Sequence, residues 1–159
     1  MVLENAGDFA QTVGKNRRIA GLDVGEKTIG IAVSDTEWMI ASPRDTVRRS
    51  KFSVDVEVLK NLFASENVGG IVVGLPMNMD GSEGPRCQSI RDFCKNIEAH
   101  VDVPLFLWDE RLSTVAVTRT LLEADVSRQK RAQVVDKMAA SYILQGALER
   151  IRKALSTGQ

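Results

Sequence analysis

The sequence predicts one α/β domain built on a mixed five-stranded sheet, an antiparallel meander extended by two parallel strands, with helices on both faces. Three observations carry this reading. The apolar runs "RIAGLDV" and "TIGIAVS" are separated only by "GEK", and so short a link permits only an antiparallel hairpin. Two later apolar runs, "GGIVVGL" and "PLFLW", each follow a segment of helical character, as in right-handed crossover units that lay strands parallel in a covered sheet. A length of 159 residues suits one compact domain with a real core.

In chain order, residues 1–16 are polar and aperiodic and read as a flexible tail, leaving the domain to 17–155. From Arg18 to Val24 the residues alternate, with Ile19, Gly21 and Asp23 on one face and Ala20, Leu22 and Val24 on the other. A third strand around "WMIA" is expected to close the meander before Pro43. Over 53–66, Val56, Leu59, Leu62 and Phe63 form a helical stripe, and "GGIVVGL" then has the continuous apolar character of a strand buried on both sides. The stretch "PMNMDGSEGP" is a loop in which Gly81 and Gly84 allow mobility. A helix over roughly 86–99 leads to "PLFLW", which ends at Asp109 and Glu110. Ser113 caps a helix to about residue 124, and a long final helix covers about 132–154. This succession is the layout of the ribonuclease H-like fold. No internal repeat or low-complexity segment interrupts it.

Composition narrows the function classes. Lys+Arg and Asp+Glu balance at 21 each, so any nucleic-acid contact must come from local clusters rather than net charge. The first residues lack the apolar core and cleavage site of a secretory signal, and no stretch suits a membrane span. A soluble cytoplasmic protein without a membrane partner is expected. Cys87 and Cys94 lie about two helical turns apart, too far for a disulfide, and without a CxxC they read as reduced, partly buried thiols. The one histidine, His100, sits near a helix end and reads as a surface or capping residue. Nucleophilic triads have no good support.

Acids at element ends carry the chemistry. In open sheets with crossover helices, ligands gather at the carboxyl ends of strands. Asp23 ends the first strand and Asp109-Glu110 the fifth. On the last helix Ala139, Ala140, Ile143, Ala147 and Ile151 make an apolar stripe, and Asp136 stands on its line one turn earlier. Small side chains there let the helix approach the sheet, bringing Asp136 toward Asp23 and Glu110. Three converging carboxylates stay ionised only with a cation among them, and hard oxygen donors suit Mg2+ or Mn2+. Two such ions would support phosphodiester cleavage. Each acid also has an ordinary reading: Asp23 as a turn residue, Glu110 paired with Arg111, Asp136 paired with Lys137 or Arg131. Asp109 is an alternative ligand, ranked second because an extended chain turns it away from Glu110's side.

"GLDVGEKTIGIAVSD", "VVGLPMNMDGSEGP", "WDERLSTVAV" and "VVDKMAASYIL" resemble, in order, the motifs of the YqgF/RuvX family. That family is ribonuclease H-like and is described as pre-16S ribosomal RNA nucleases or as Holliday junction resolvases. The resemblance covers roughly 17–153 and implies a nuclease site of Asp23, Glu110 and Asp136. It also implies a role in processing the 5' end of 16S rRNA during ribosome biogenesis, on precursor rRNA or ribosomal precursor particles. The alternative is resolution of branched DNA, which favours a homodimer over a monomer. One departure stands out: the fourth strand ends in "GLP" rather than in an acid, so Glu110 must serve from the fifth.

Phosphate contacts need cations near the acids, and Lys27, Arg111 and Arg131 are the candidates, with Arg128 and Lys130 beside the last. Aromatics are 5% of the chain, which favours recognition by backbone and shape over base stacking. "DVGEKTIGIAVSD" also resembles the first phosphate loop of actin-like ATPases and sugar kinases. The chain is short for two such domains and has no second DxG element. A binding module without catalysis is the remaining class, and acids at all three positions argue against it.

Overall fold

The computed structural model describes residues 1–112 and 128–157, with the backbone alone over 128–136. The elements are β1 (Val2–Leu3), α1 (Ala6–Val13), β2 (Arg18–Val24), β3 (Thr28–Ser34), β4 (Ala41–Arg48), α2 (Phe52–Ser65), β5 (Val68–Leu75), α3 (Pro85–Glu98), β6 (Leu105–Asp109), a 3₁₀ turn (Glu110–Leu112) and α4 (Arg128–Ser156). The helix expected from Ser113 lies outside the described residues. The sheet runs β1-β6-β5-β2-β3-β4. Strands β2, β3 and β4 pair antiparallel, whereas β5 pairs parallel with β2 and β6.

Strand alternation builds two apolar layers. Ala20, Leu22 and Val24 pack with α2 and α3, while Ile19 joins α1 and α4 on the other face. Strand β5 is buried along its whole length, as its unbroken apolar run requires. The α4 stripe of Ala139, Ala140, Ile143, Ala147 and Ile151 faces the sheet, joined by Leu144 and Leu148. Gly21 lets that helix come close: a Cβ there would lie 2.6 Å from the Leu144 Cβ and 3.0 Å from the Ala140 carbonyl oxygen.

The N-terminal segment differs from the loose tail expected. It forms β1, which adds a sixth strand parallel to β6, and α1, whose first turn is closed by the Asn5 side chain accepting from the Asp8 amide at 3.0 Å. Phe9 is fully buried and stacks on Phe106 with ring centroids 5.5 Å apart. The apolar set Phe9, Ala10 and Val13 is too short to show a period against its polar neighbours, yet it closes the layer beside α4. Phe9→Ala is therefore expected to cost about 3–5 kcal/mol, read as a lower urea midpoint. An unchanged midpoint would mean that the segment does not contribute to the core.

The third strand also differs. "WMIA" is mostly turn, because Asp35 Oδ1 accepts from the Met39 and Ile40 amides at 2.8 and 2.9 Å, removing donors that a ladder would use. Trp38 adopts a φ of 60° and drops its ring into the α4 layer, its Nε1 donating to the Arg17 carbonyl at 2.7 Å. The strand begins at Ala41 and runs through Pro43. Proline is tolerated there because β4 is an edge strand and its register slips beside that residue: Ile31 pairs with Asp45 and Ala32 with Pro43.

Candidate active site

The direction of α4 fixes what meets at the carboxyl ends of the strands. Its later residues reach the β3–β4 turn, where Gln145 Oε1 accepts from the Ala41 amide at 2.9 Å and Arg152 donates to the Trp38 carbonyl at 2.6 Å. Ala140 and Leu144 lie over Gly21 in the middle of β2. The helix thus runs antiparallel to β2, and its N-terminal part heads toward the end that carries Asp23. Position 136 is one turn before Ala140 on that course, but the Asp136 side chain lies outside the described residues. So do those of Arg131, Arg128 and Lys130.

Asp23 is 7% exposed and follows Gly21 by two residues on the α4 face. The β2–β5 register pairs Leu22 with Val73, so one step further Asp23 stands level with Gly74. A Cβ on Gly74 would come within 3.3 Å of the Glu110 Cδ. The carboxyl group of Glu110 therefore lies over the bare backbone of Gly74, beside the strand that carries Asp23. This gives the missing acid of the "GLP" strand end its physical account. A side chain on β5 would fill the place that Glu110 enters from β6. Alternation along β6 agrees, since Phe106 and Trp108 face α4 and Glu110 continues that side.

Asp109 turns the other way and is fully engaged. Arg111 Nε donates to both its oxygens at 3.1 and 3.0 Å, and Arg111 Nη2 to Oδ2 at 2.7 Å. Arg111 also donates to the Met79 carbonyl at 3.2 Å, tying the 3₁₀ turn to the β5–α3 loop. That loop, expected to be mobile, is cross-braced: Asp80 accepts from the Ser82 amide and hydroxyl, Asn78 Nδ2 donates to Ser82 Oγ at 2.9 Å, and Gly81 supplies a φ of 89°. Arg111 thus serves as a brace in this structure.

The Arg111 guanidinium holds the Asp109 carboxyl below its ordinary value of 3.8. A depressed carboxylate contributes stability in full above its unfolded value, and the contribution is lost as pH falls through the lower folded value. Titration of the Asp109 side chain followed by carbon NMR is expected to show a midpoint below 3.8, shifting back toward it in Arg111→Gln. A midpoint already at the ordinary value in the unaltered chain would mean that this brace does not persist in solution.

Lys27 is exposed in the β2–β3 turn, its carbonyl accepting from the Arg49 amide at 2.8 Å. Cys87 and Cys94 are buried on the α3 face, and burial pushes the Cys94 thiol up to about 12, so neither is poised as a thiolate. His100 lies against Phe52, ring centroids 5.7 Å apart, away from the acids. Among the described residues no three acids, histidines or cysteines group as a metal cage. Asp23 and Glu110 supply two hard oxygen donors of the type that suits Mg2+ or Mn2+, which a third carboxylate from α4 would complete. Sequence reasoning missed Gly74, whose sole signal was a glycine at a strand end.

Comparison with known proteins bears on this arrangement. The family model described as "RuvX: Holliday junction resolvase" matches residues 17–150. A protein of Roseobacter denitrificans named "Putative pre-16S rRNA nuclease" is 54% identical over 154 residues, 96% of this chain and 94% of its own length. A protein of the same name from Paramagnetospirillum magneticum is 58% identical over 142 residues, 89% of this chain and 92% of its own. Among solved structures, Thermus thermophilus RuvC in complex with a Holliday junction substrate aligns with a TM-score of 0.52 at 11% identity, over 89% of this chain and 97% of that one. That last likeness is one of fold.

Proposed function

Because this chain belongs to the RuvX family, we propose that it is a metal-dependent endonuclease that hydrolyses phosphodiester bonds in precursor 16S rRNA. The observation that carries the reading is the placement of the Glu110 carboxyl over Gly74, level with Asp23 at the end of the neighbouring strand. Asp136, in the N-terminal part of α4, is the proposed third member. One or two ions of Mg2+ or Mn2+ held by these carboxylates would activate a water and neutralise charge on the cleaved phosphate. The protein's own part is to fix two acids on rigid strand ends, with one face of the site closed by α4 and Asp23 largely withdrawn from water. The braced loop at 76–84 follows β5 and borders the same strand end. Its place of action is the cytoplasm, on a ribosomal precursor.

The family description and the RuvC-like fold favour a second reading, resolution of branched DNA. Cleavage of a labelled precursor 16S 5' leader and of a four-way DNA junction, side by side in Mg2+ and Mn2+, separates the two. Cutting of the RNA alone, lost in Asp23→Asn, supports the proposal. Paired symmetric cuts in the junction alone would replace it with the resolvase, and no cutting of either would count against nuclease action by the isolated chain.

A further inference from the structure

On the opposite side of the β2 end from Asp23, a cleft of about 270 Å³ opens between the β2–β3 turn, the β4–α2 link and the first turn of α3, with Gly25, Glu26, Arg49, Arg86 and Ser89 in its walls. Two guanidinium groups are fixed there by main-chain carbonyls. Arg49 donates to the Gly25 carbonyl at 2.7 Å and stacks on Phe93 at 5.4 Å, and Arg86 donates to the Val24 carbonyl at 3.0 Å. Neither belongs to an ion pair among the described residues, although other arginines of the chain do: Arg44 with Glu66, Arg91 with Glu83, Arg111 with Asp109. Glu26 also lines the cleft but is exposed and pairs with neither arginine among the described residues, so two oriented cations against one carboxylate leave a site for an anion. These hydrogen bonds to the Val24 and Gly25 carbonyls use only part of each guanidinium's five donors.

We propose that this cleft takes a backbone phosphodiester of the same nucleic-acid strand that is cut at Asp23 and Glu110, an inference that rests on the nuclease reading. The two places are divided only by the end of β2, since Asp23 and Val24 are adjacent and their side chains leave opposite faces. A strand crossing the sheet end with one phosphate at the acids would lay a neighbouring phosphate against Arg49 and Arg86. The contact is blind to base identity, in keeping with recognition through the backbone.

The test is fluorescence anisotropy of a labelled single-stranded 5' leader RNA, in EDTA and over a range of salt, with wild type, Arg86→Gln, Arg86→Lys and Asp23→Asn. Arg86→Gln is expected to weaken binding roughly tenfold at low salt. The same change should flatten the log-log salt slope by about 0.7, the share of one phosphate on a single strand. Arg86→Lys keeps the charge and should restore the slope. An unchanged affinity and slope in Arg86→Gln overturns the proposal, as does equal weakening by Lys and Gln, which would mark a structural effect. Binding is read without metal, so a chain that binds RNA through Arg86 but cuts nothing would sink the nuclease reading and leave the phosphate cleft standing.

Discussion

Glu110→Gln is expected to lower the cleavage rate by at least about 100-fold in saturating Mg2+ while leaving the thermal midpoint within a few degrees. The substitution keeps the shape of a side chain that is only half-buried and removes the charge that a divalent cation needs. Its carboxyl group occupies room that Gly74 leaves open, so the same site can be disturbed without touching an acid. Gly74→Ala would set a methyl 3.3 Å from the Glu110 Cδ and 2.5 Å from the Ile143 Cδ1. The end of the Ile143 side chain can yield, whereas displacement of Glu110 should show as lost rate. Full activity in Glu110→Gln would remove this residue from the site and direct attention to Asp109. In that event the double variant Asp109→Asn/Glu110→Gln would identify which carboxylate of the pair matters.

Gly21→Ala should be costly in stability. The new methyl meets the Leu144 Cβ at 2.6 Å and the Ala140 carbonyl oxygen at 3.0 Å, and neither is the free end of a flexible chain. Helix α4 would have to lift from β2, at a cost of about 3 kcal/mol, or roughly 6–12 °C in Tm for a chain of this size. The same displacement would draw position 136 away from the end of β2, so activity should fall beyond what the unfolded fraction explains. Calorimetry together with cleavage measured well below Tm separates these effects. A Tm within a degree of wild type would show that α4 does not lie against Gly21 in solution.

The sequence by itself determined the alternation of β2, the hairpin to β3, the doubly buried β5 and the apolar stripe of α4, because each is a local repeat longer than the noise of its neighbours. It also marked Asp23 and the Asp109-Glu110 pair as acids at strand ends, and its motifs placed the chain in its family. Tertiary structure alone decided the rest. The N-terminal segment reads as polar because its buried residues are few, and only the vacant place beside Phe106 and over Gly70 shows why Phe9 and Val13 are there. The start of β4 depended on Asp35 capturing two amides and on an edge position that tolerates Pro43. The division of labour between Asp109 and Glu110 depended on Arg111 claiming the former and a glycine on the adjacent strand making room for the latter. Such choices rest on what lies across the sheet, since a residue's own neighbours in sequence carry no record of the space left by a missing side chain on another strand.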